Sequence, residues 1–149
     1  MIYVDANAIV YLLHDVRPKS DLVIDILSRS DQAYTSLRTI EETSYILVRI
    51  HLGKHYGVRS IHKIREIINQ RGLGFIKDEL KAMRDLLSEY NIIVLQDKAE
   101  VSEIHNTMIE YNLLPGDAII ALTCKHYGID TILTFDEDFK RIPWLKVIP

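Results

Sequence analysis

"NIIVLQDKAEVSEIHNTMIEYNLLPGDAIIALTCKHYGIDTILTF", residues 91–135, decides the fold. "NIIVLQ" is a short, continuous apolar run and reads as the clearest strand of the chain. Behind it, Asp97 and Glu100 stand in capping-box spacing ahead of an amphipathic helix ending at "MIEYN". "PGD" punctuates the chain, and a helix over 117–127 follows whose first turns, "AIIAL", are apolar almost all round and so must be buried. "TILTF" is the next strand. Strands interleaved with helices in this way mean an α/β fold with a largely parallel sheet.

The same alternation extends outward in both directions. Upstream, "MIYVD" reads as a short buried strand followed by a helix, "AIVYLLH". Pro18 and then Ser20, a candidate N-cap, open a second helix through "DLVIDILSR". "QAYTS" is a further strand candidate. "LRTIEETSYILVRIHL" is helical and is expected to end near Gly53 and Gly57. "VRSIHKIREIINQ" repeats Val or Ile at 58, 61, 64, 67 and 68, a helical stripe broken by Gly72 and Gly74, and "KDELKAMRDLLSEY" gives one more helix. Downstream, an acidic turn leads into "LKVIP". The 149 residues, 48% hydrophobic, suit one domain over 1–149, with no internal repeat or linker.

Composition removes several function classes. The single cysteine, Cys124, cannot form an internal disulfide, and no Cys/His cluster has zinc-site spacing. No uncharged stretch approaches the roughly 20 residues of a membrane span, and no cationic n-region precedes an apolar one. The cytoplasm is the expected address, with no membrane partner. A net charge of −3 argues against a protein that coats nucleic acid. Its distribution is uneven: residues 49–71 hold six of the 18 Lys and Arg against one acid, Glu66, so this arm is +5 and the remainder −8. Arg49, Lys54, Arg59, Lys63 and Arg65 are its candidate phosphate contacts, set against the plainer reading of a solvated helix face.

The acids fall where a parallel sheet converges. Right-handed crossovers bring the carboxyl ends of the strands to one edge, where such sheets bind ligands. Asp5 follows "IYV" and Asp136 follows "TILTF", while Asp117 opens the buried helix. Taken alone, Asp117 has good N-cap chemistry, and Asp136 has ordinary turn composition. Asp97 serves as a control, since a capping box explains it fully. Glu41 and Glu42 are adjacent on a helix, about one hundred degrees apart, so one of them can point inward, and periodicity does not choose between them. Carboxylates gathered at neutral pH repel one another unless cations sit among them. Hard oxygen ligands with few histidines select Mg²⁺ or Mn²⁺ over Zn²⁺. Such a site suits in-line hydrolysis of a phosphodiester, with two ions about 3.5–4 Å apart if both positions fill.

In these features the chain resembles the PIN-domain proteins, in particular the VapC-type toxin ribonucleases of prokaryotic toxin–antitoxin pairs. "IYVDANAIV" matches the family's first acidic motif at Asp5, and "TSLRTIEETSYIL" fits the second best with Glu42, leaving Glu41 as its neighbour. "DAIIALTCKHYG" matches the third at Asp117, and "TFDEDF" the fourth at Asp136, with Thr134 and Asp138 in support. The resemblance implies a three-layer α/β/α fold with about five strands and a metal site of Asp5, Glu42, Asp117, Asp136 and Asp138, with Asn7 as a hydrogen-bonding support. It further implies one or two Mg²⁺ or Mn²⁺ ions, an RNA substrate, a small antitoxin partner and a homodimer.

Two rival readings fit less well. Haloacid-dehalogenase-like phosphatases want a second Asp where Asn7 stands. A non-catalytic scaffold that binds RNA or protein has no need to hold so many repelling charges together. Cys124, seven residues beyond Asp117 on a buried stripe and without an identifiable base, is expected to serve packing.

Overall fold

Five short strands carry the architecture: β1 (Ile2–Val4), β2 (Ala33–Ser36), β3 (Ile92–Leu95), β4 (Thr131–Leu133) and β5 (Lys146–Ile148). In the computed structural model, which describes residues 1–149, they form one sheet in the order β3-β2-β1-β4-β5. Every pairing is parallel, with Tyr3 opposite both Tyr34 and Ile132. The chain starts in the middle, steps outward through β2 to β3, then returns to the other side of β1 for β4 and β5. The strand order therefore reverses between β1 and β4, and a crevice opens at their carboxyl ends.

Seven helices cover the sheet: α1 (Ala6–Leu13), α2 (Lys19–Ser28), α3 (Leu37–Tyr56), α4 (Ile61–Arg71), α5 (Lys77–Glu89), α6 (Val101–Tyr111) and α7 (Pro115–Tyr127). Alternate strand residues point to opposite faces, which divides the core in two. Ile2, Val4, Ala33, Ile92 and Leu133 pack with Ile9 of α1, Val23 and Leu27 of α2 and Met83 and Leu86 of α5. Tyr3 and Ile132 face the other way, onto Ala118, Ile120, Ala121 and Cys124 of α7. This is the expected α/β/α layering. A third, smaller cluster of Leu52, Val58 and Ile64 joins α3 to α4 away from the sheet. None of the helices is long and apolar enough to cross a membrane.

Several local expectations are corrected. Ser20 is no N-cap: α2 already begins at Lys19 behind Pro18, and the buried Ser20 hydroxyl donates to Asp15 Oδ1 at 3.2 Å. Proline's fixed φ suits a helix start, so it moves the boundary upstream. α3 passes through Gly53 and stops at Gly57, where φ of 63° is the left-handed geometry that glycine adopts without strain. The capping box ahead of α6 is Glu100 with Glu103, not Asp97 with Glu100. Asp97 instead reaches across to α3, where its Oδ2 accepts from the Arg38 N–H at 3.0 Å. Ser36, at the N-cap position of α3, makes no capping bond, because its hydroxyl is engaged with the Tyr3 hydroxyl at 2.7 Å. A residue after one strand thus caps the helix that follows its neighbour.

Candidate functional site

The site is built on hydrogen bonds between the ends of β1 and β4. Asp5 follows β1 and is 5% exposed, a depth at which a carboxylate needs partners. Thr134, after β4, donates its hydroxyl to Asp5 Oδ2 at 2.6 Å and accepts from the Asp136 N–H at 3.1 Å. Asn7 closes the network: its Nδ2 donates to Asp5 Oδ2 at 3.1 Å and to Thr134 Oγ1 at 3.0 Å, while its Oδ1 accepts from the Phe135 N–H at 3.0 Å. Asn7 and Thr134 therefore fix Asp5 relative to the turn that carries Asp136. Asp136 caps that turn, accepting from the Asp138 N–H at 2.9 Å.

Two helices bring the other acids. In α3, Glu41 is solvent-facing while Glu42 is half-buried and turned toward Asp5 and Asp117. In α7 the N-cap position is Leu114 and the first helical residue is Pro115, so Asp117 is third and makes no capping bond. The N-cap alternative for Asp117 is thereby removed, and nothing in the helix start requires its carboxylate.

Electrostatics show that the acids share one space. Burial pushes Asp5 up to about 6, against the hydrogen bonds of Thr134 and Ala6, with the charges of Glu42 and Asp117 pushing the same way. Asp117 is also raised to about 6, first by burial, then by Asp136, Glu42 and Asp138, with Arg38 opposing. Asp117 thus lies within the field of Glu42 and Asp136, and Asp5 within that of Glu42 and Asp117, at the switch point of the sheet. No three acid, His or Cys side chains converge tightly enough to form a ready-made metal shell. The donor set nevertheless suits a hard divalent cation, since it is all carboxylate oxygen and two of its members are disfavoured as anions by burial and then by neighbouring acids.

The sequence reading missed two cations beside these acids. Arg38, at the start of α3, pairs with Glu41 through Nη1 and lies 3.4 Å from Glu42 Oε2 through Nη2. Its spacing, three and four residues ahead of the two glutamates, was the available signal. The second is Arg141, which holds Asp138 Oδ1 at 2.7 Å and also donates to the Asn112 carbonyl. Asp138 is thus held in a close ion pair, tighter than the 3.4 Å contact that Glu42 makes with Arg38.

Arg49, Lys54, Arg59, Lys63 and Arg65 are all exposed, and none is in an ion pair. Arg49 and Arg59 line a shallow cavity with Ile46, Ile50, Gly53 and Val58. His51 is not part of this cationic surface, because it is bound to Glu79 Oε1 at 2.8 Å and stacked on Phe75. Cys124 is buried, its thiol pushed up by burial, as expected of a packing residue.

Residues 2–145 match the PIN domain family. The chain is 28% identical over 149 residues to the ribonuclease VapC2 of Methanocaldococcus jannaschii, covering 99% of this chain and 92% of that one. Among solved structures it is similar to the sarcin-ricin loop cleaving toxin VapC20 of Mycobacterium tuberculosis, with a TM-score of 0.67 at 15% identity over the full length of both. It is similar also to a chain of VapBC2 from Rickettsia felis, solved with a promoter DNA fragment, with a TM-score of 0.62 at 17% identity over 99% of this chain and 98% of that one. With its parallel sheet, its acids gathered at the switch point and a match over nearly its whole length, the chain belongs to the PIN-domain family.

Proposed function

We propose that the chain is a divalent-metal-dependent endoribonuclease and the toxin of a toxin–antitoxin pair, acting as a single domain over residues 1–149. The observation that carries this reading is the convergence of Asp5, Glu42, Asp117 and Asp136 from four segments, with Asp5 and Asp117 raised to about 6 by burial and mutual repulsion. Mg²⁺ or Mn²⁺, as one ion or two, would supply Lewis-acid activation of water and neutralise charge at the scissile phosphate. The four acids would hold that cation. Asn7 and Thr134 keep Asp5 oriented, and both of their side-chain bonds fall on Oδ2. Glu41 and Asp138, each paired to an arginine, stand at the rim as supporting charges.

RNA would approach along α3. Glu42, Ile46, Arg49 and Gly53 recur at helical spacing on one stripe, so Arg49 sits about 10 Å along the axis from Glu42. The strand would leave the acids and meet Arg49 and Arg59 at the cavity they share. Lys54, Lys63 and Arg65 extend the same positive surface. Contacts of this kind supply affinity and salt dependence rather than sequence choice. The antitoxin belongs to the same proposal and is expected to cover the acidic crevice with a cationic residue or a helix, an arrangement that would block Mn²⁺ binding. So do the homodimer, for which Ile109 and Leu114, 78% and 69% exposed, offer apolar surface, and the cytoplasmic address.

The test is digestion of total cellular RNA with Mn²⁺ by the wild type and Asp117→Asn, followed by mapping of the new ends. Discrete cleavage products ending in 5′-phosphate from the wild type alone are expected. Equal cleavage by both proteins would remove Asp117 from the site.

A further inference from the structure

Arg38 occupies a place that no other cation near the acids shares. Its backbone is pinned by the bond from its N–H to Asp97 Oδ2, while its guanidinium is 29% exposed and lies between Glu42 and the start of α7. Facing it is Gly116, immediately before Asp117. A methyl group built on Gly116 would fall 2.7 Å from Nε and 2.9 Å from Cζ of Arg38, with Nη2 closer still. Glycine is a poor helix former, and here, in the first turn of α7, its missing side chain is the space the guanidinium fills.

The Arg38–Glu42 contact at 3.4 Å is long for a charge-assisted bond and partly open to solvent. Pairs of this kind contribute about 0–1 kcal/mol. A divalent cation claiming Glu42 would therefore break it, since both would compete for the same carboxylate oxygen. The guanidinium would stay tethered at the mouth of the site through Nη1 on Glu41, and its freed Nε–Nη2 edge matches two of a phosphate's oxygens in two-point contact.

We propose that Arg38 is an RNA-phosphate-binding residue held in reserve: it rests on Glu41 and Glu42 across Gly116 in the free protein, and, still anchored on Glu41, turns its other edge onto a phosphodiester next to the cleaved one once Glu42 takes up a divalent cation. This inference rests on the ribonuclease reading above. It makes Arg38 both the competitor of the metal for Glu42 and a contact of the substrate. A permanent structural ion pair would be neither.

Three variants of the full chain separate these roles: Arg38→Gln, Arg38→Lys and Gly116→Ala. Calorimetric Mn²⁺ titration without RNA is expected to show tighter binding in Arg38→Gln, by up to about fivefold, as follows from losing a competing pair of this strength. Gly116→Ala, which evicts the guanidinium but keeps its charge, is expected to tighten Mn²⁺ as well. Binding of short, random-sequence, single-stranded RNA is then measured across salt, with Ca²⁺ in place of Mn²⁺ so that no strand is cut. Arg38→Gln should weaken it and reduce the log–log salt slope by about 0.7, the value for one lost phosphate contact, while Arg38→Lys and Gly116→Ala keep the wild-type slope. Unchanged or weaker Mn²⁺ binding in both Arg38→Gln and Gly116→Ala would overturn the resting position. An unchanged salt slope in Arg38→Gln would overturn the phosphate contact. If Arg38→Gln does not fold, Gly116→Ala decides the first point and Arg38→Met the second. A wild type that takes up no Mn²⁺ overturns the ribonuclease reading and this inference together, whereas Mn²⁺ binding that none of the variants alters overturns the inference alone.

Discussion

At the scale of single residues, Asp117 illustrates how far an acid's surroundings depart from its place in a sequence motif. Its position after "PG" suits a helix cap, yet Pro115 and Gly116 already form the first turn, and the carboxylate makes no capping bond. What surrounds it instead is partial burial and other acids, which raise it from the ordinary 3.8 to about 6. Because the folded protein holds this proton more tightly than the unfolded chain, native stability falls as pH climbs from about 4 to about 6, and the full penalty is present above that. Asp117→Asn should therefore be more stable than the wild type at pH 7.5 and match it near pH 4, as read by melting temperature in the absence of divalent metal. Asp117's partial exposure trims the gain to about 1–2 kcal/mol. A variant less stable than wild type at pH 7.5 would show that the carboxylate has a structural role after all. The placement of Asp5, Asp117 and Asp136 at one sheet edge was legible in the sequence, because each follows a strand or opens the buried helix, whereas periodicity left Glu41 and Glu42 open and only the fold shows Glu42 as the more buried of the two. Arg38 and Gly116 were not legible, because their meaning lies in a contact between residues 78 positions apart, and helical spacing reveals only the near half of it.

At the scale of elements, α3 links the acids to the basic surface. Its first turn is fixed by Asp97, and its last turns are held to α4 by Leu52, Val58 and Ile64, a cluster separate from the two sheet cores. Small separate clusters open more readily than the main core. Leu52→Ala is accordingly expected to cost about 2–4 kcal/mol locally, within the usual range for a buried leucine. Hydrogen exchange should show lost protection in α4 and the end of α3, with the strands unaffected. Loss of protection spread evenly over the sheet would mean that α4 is part of the main cooperative unit. Asp97 shows why helix boundaries were harder to read than helix existence. "DKAE" and "EVSE" both carry capping-box spacing, and the choice between them was made by Arg38's N–H, which lies 59 residues upstream across the β2–β3 pairing. The strands "QAYTS" and "NIIVLQ" illustrate the same limit, since the less apolar of the two lies between two neighbours and the more apolar one lies at the edge.

At the scale of the whole molecule, the charge asymmetry of the chain becomes a gradient, from an acidic crevice at the ends of β1 and β4 to an unpaired cationic surface at the far end of α3. Arg49→Ala with Arg59→Ala is expected to weaken single-stranded RNA binding and lower the salt slope by about 1.4, which corresponds to two phosphate contacts. The cleavage site should stay the same, because such contacts carry no base information. An unchanged slope would return the arm to a merely solvated face. The central claim is that the four acids form one cation site, and it can be tested without knowing which RNA is cut. Mn²⁺ is titrated into the wild type and into Asp117→Asn at neutral pH, following heat and melting temperature together. Saturable binding that raises the melting temperature of the wild type, and is absent or much weaker in Asp117→Asn, is the predicted result. Equal binding and equal stabilisation in the two proteins would contradict the account.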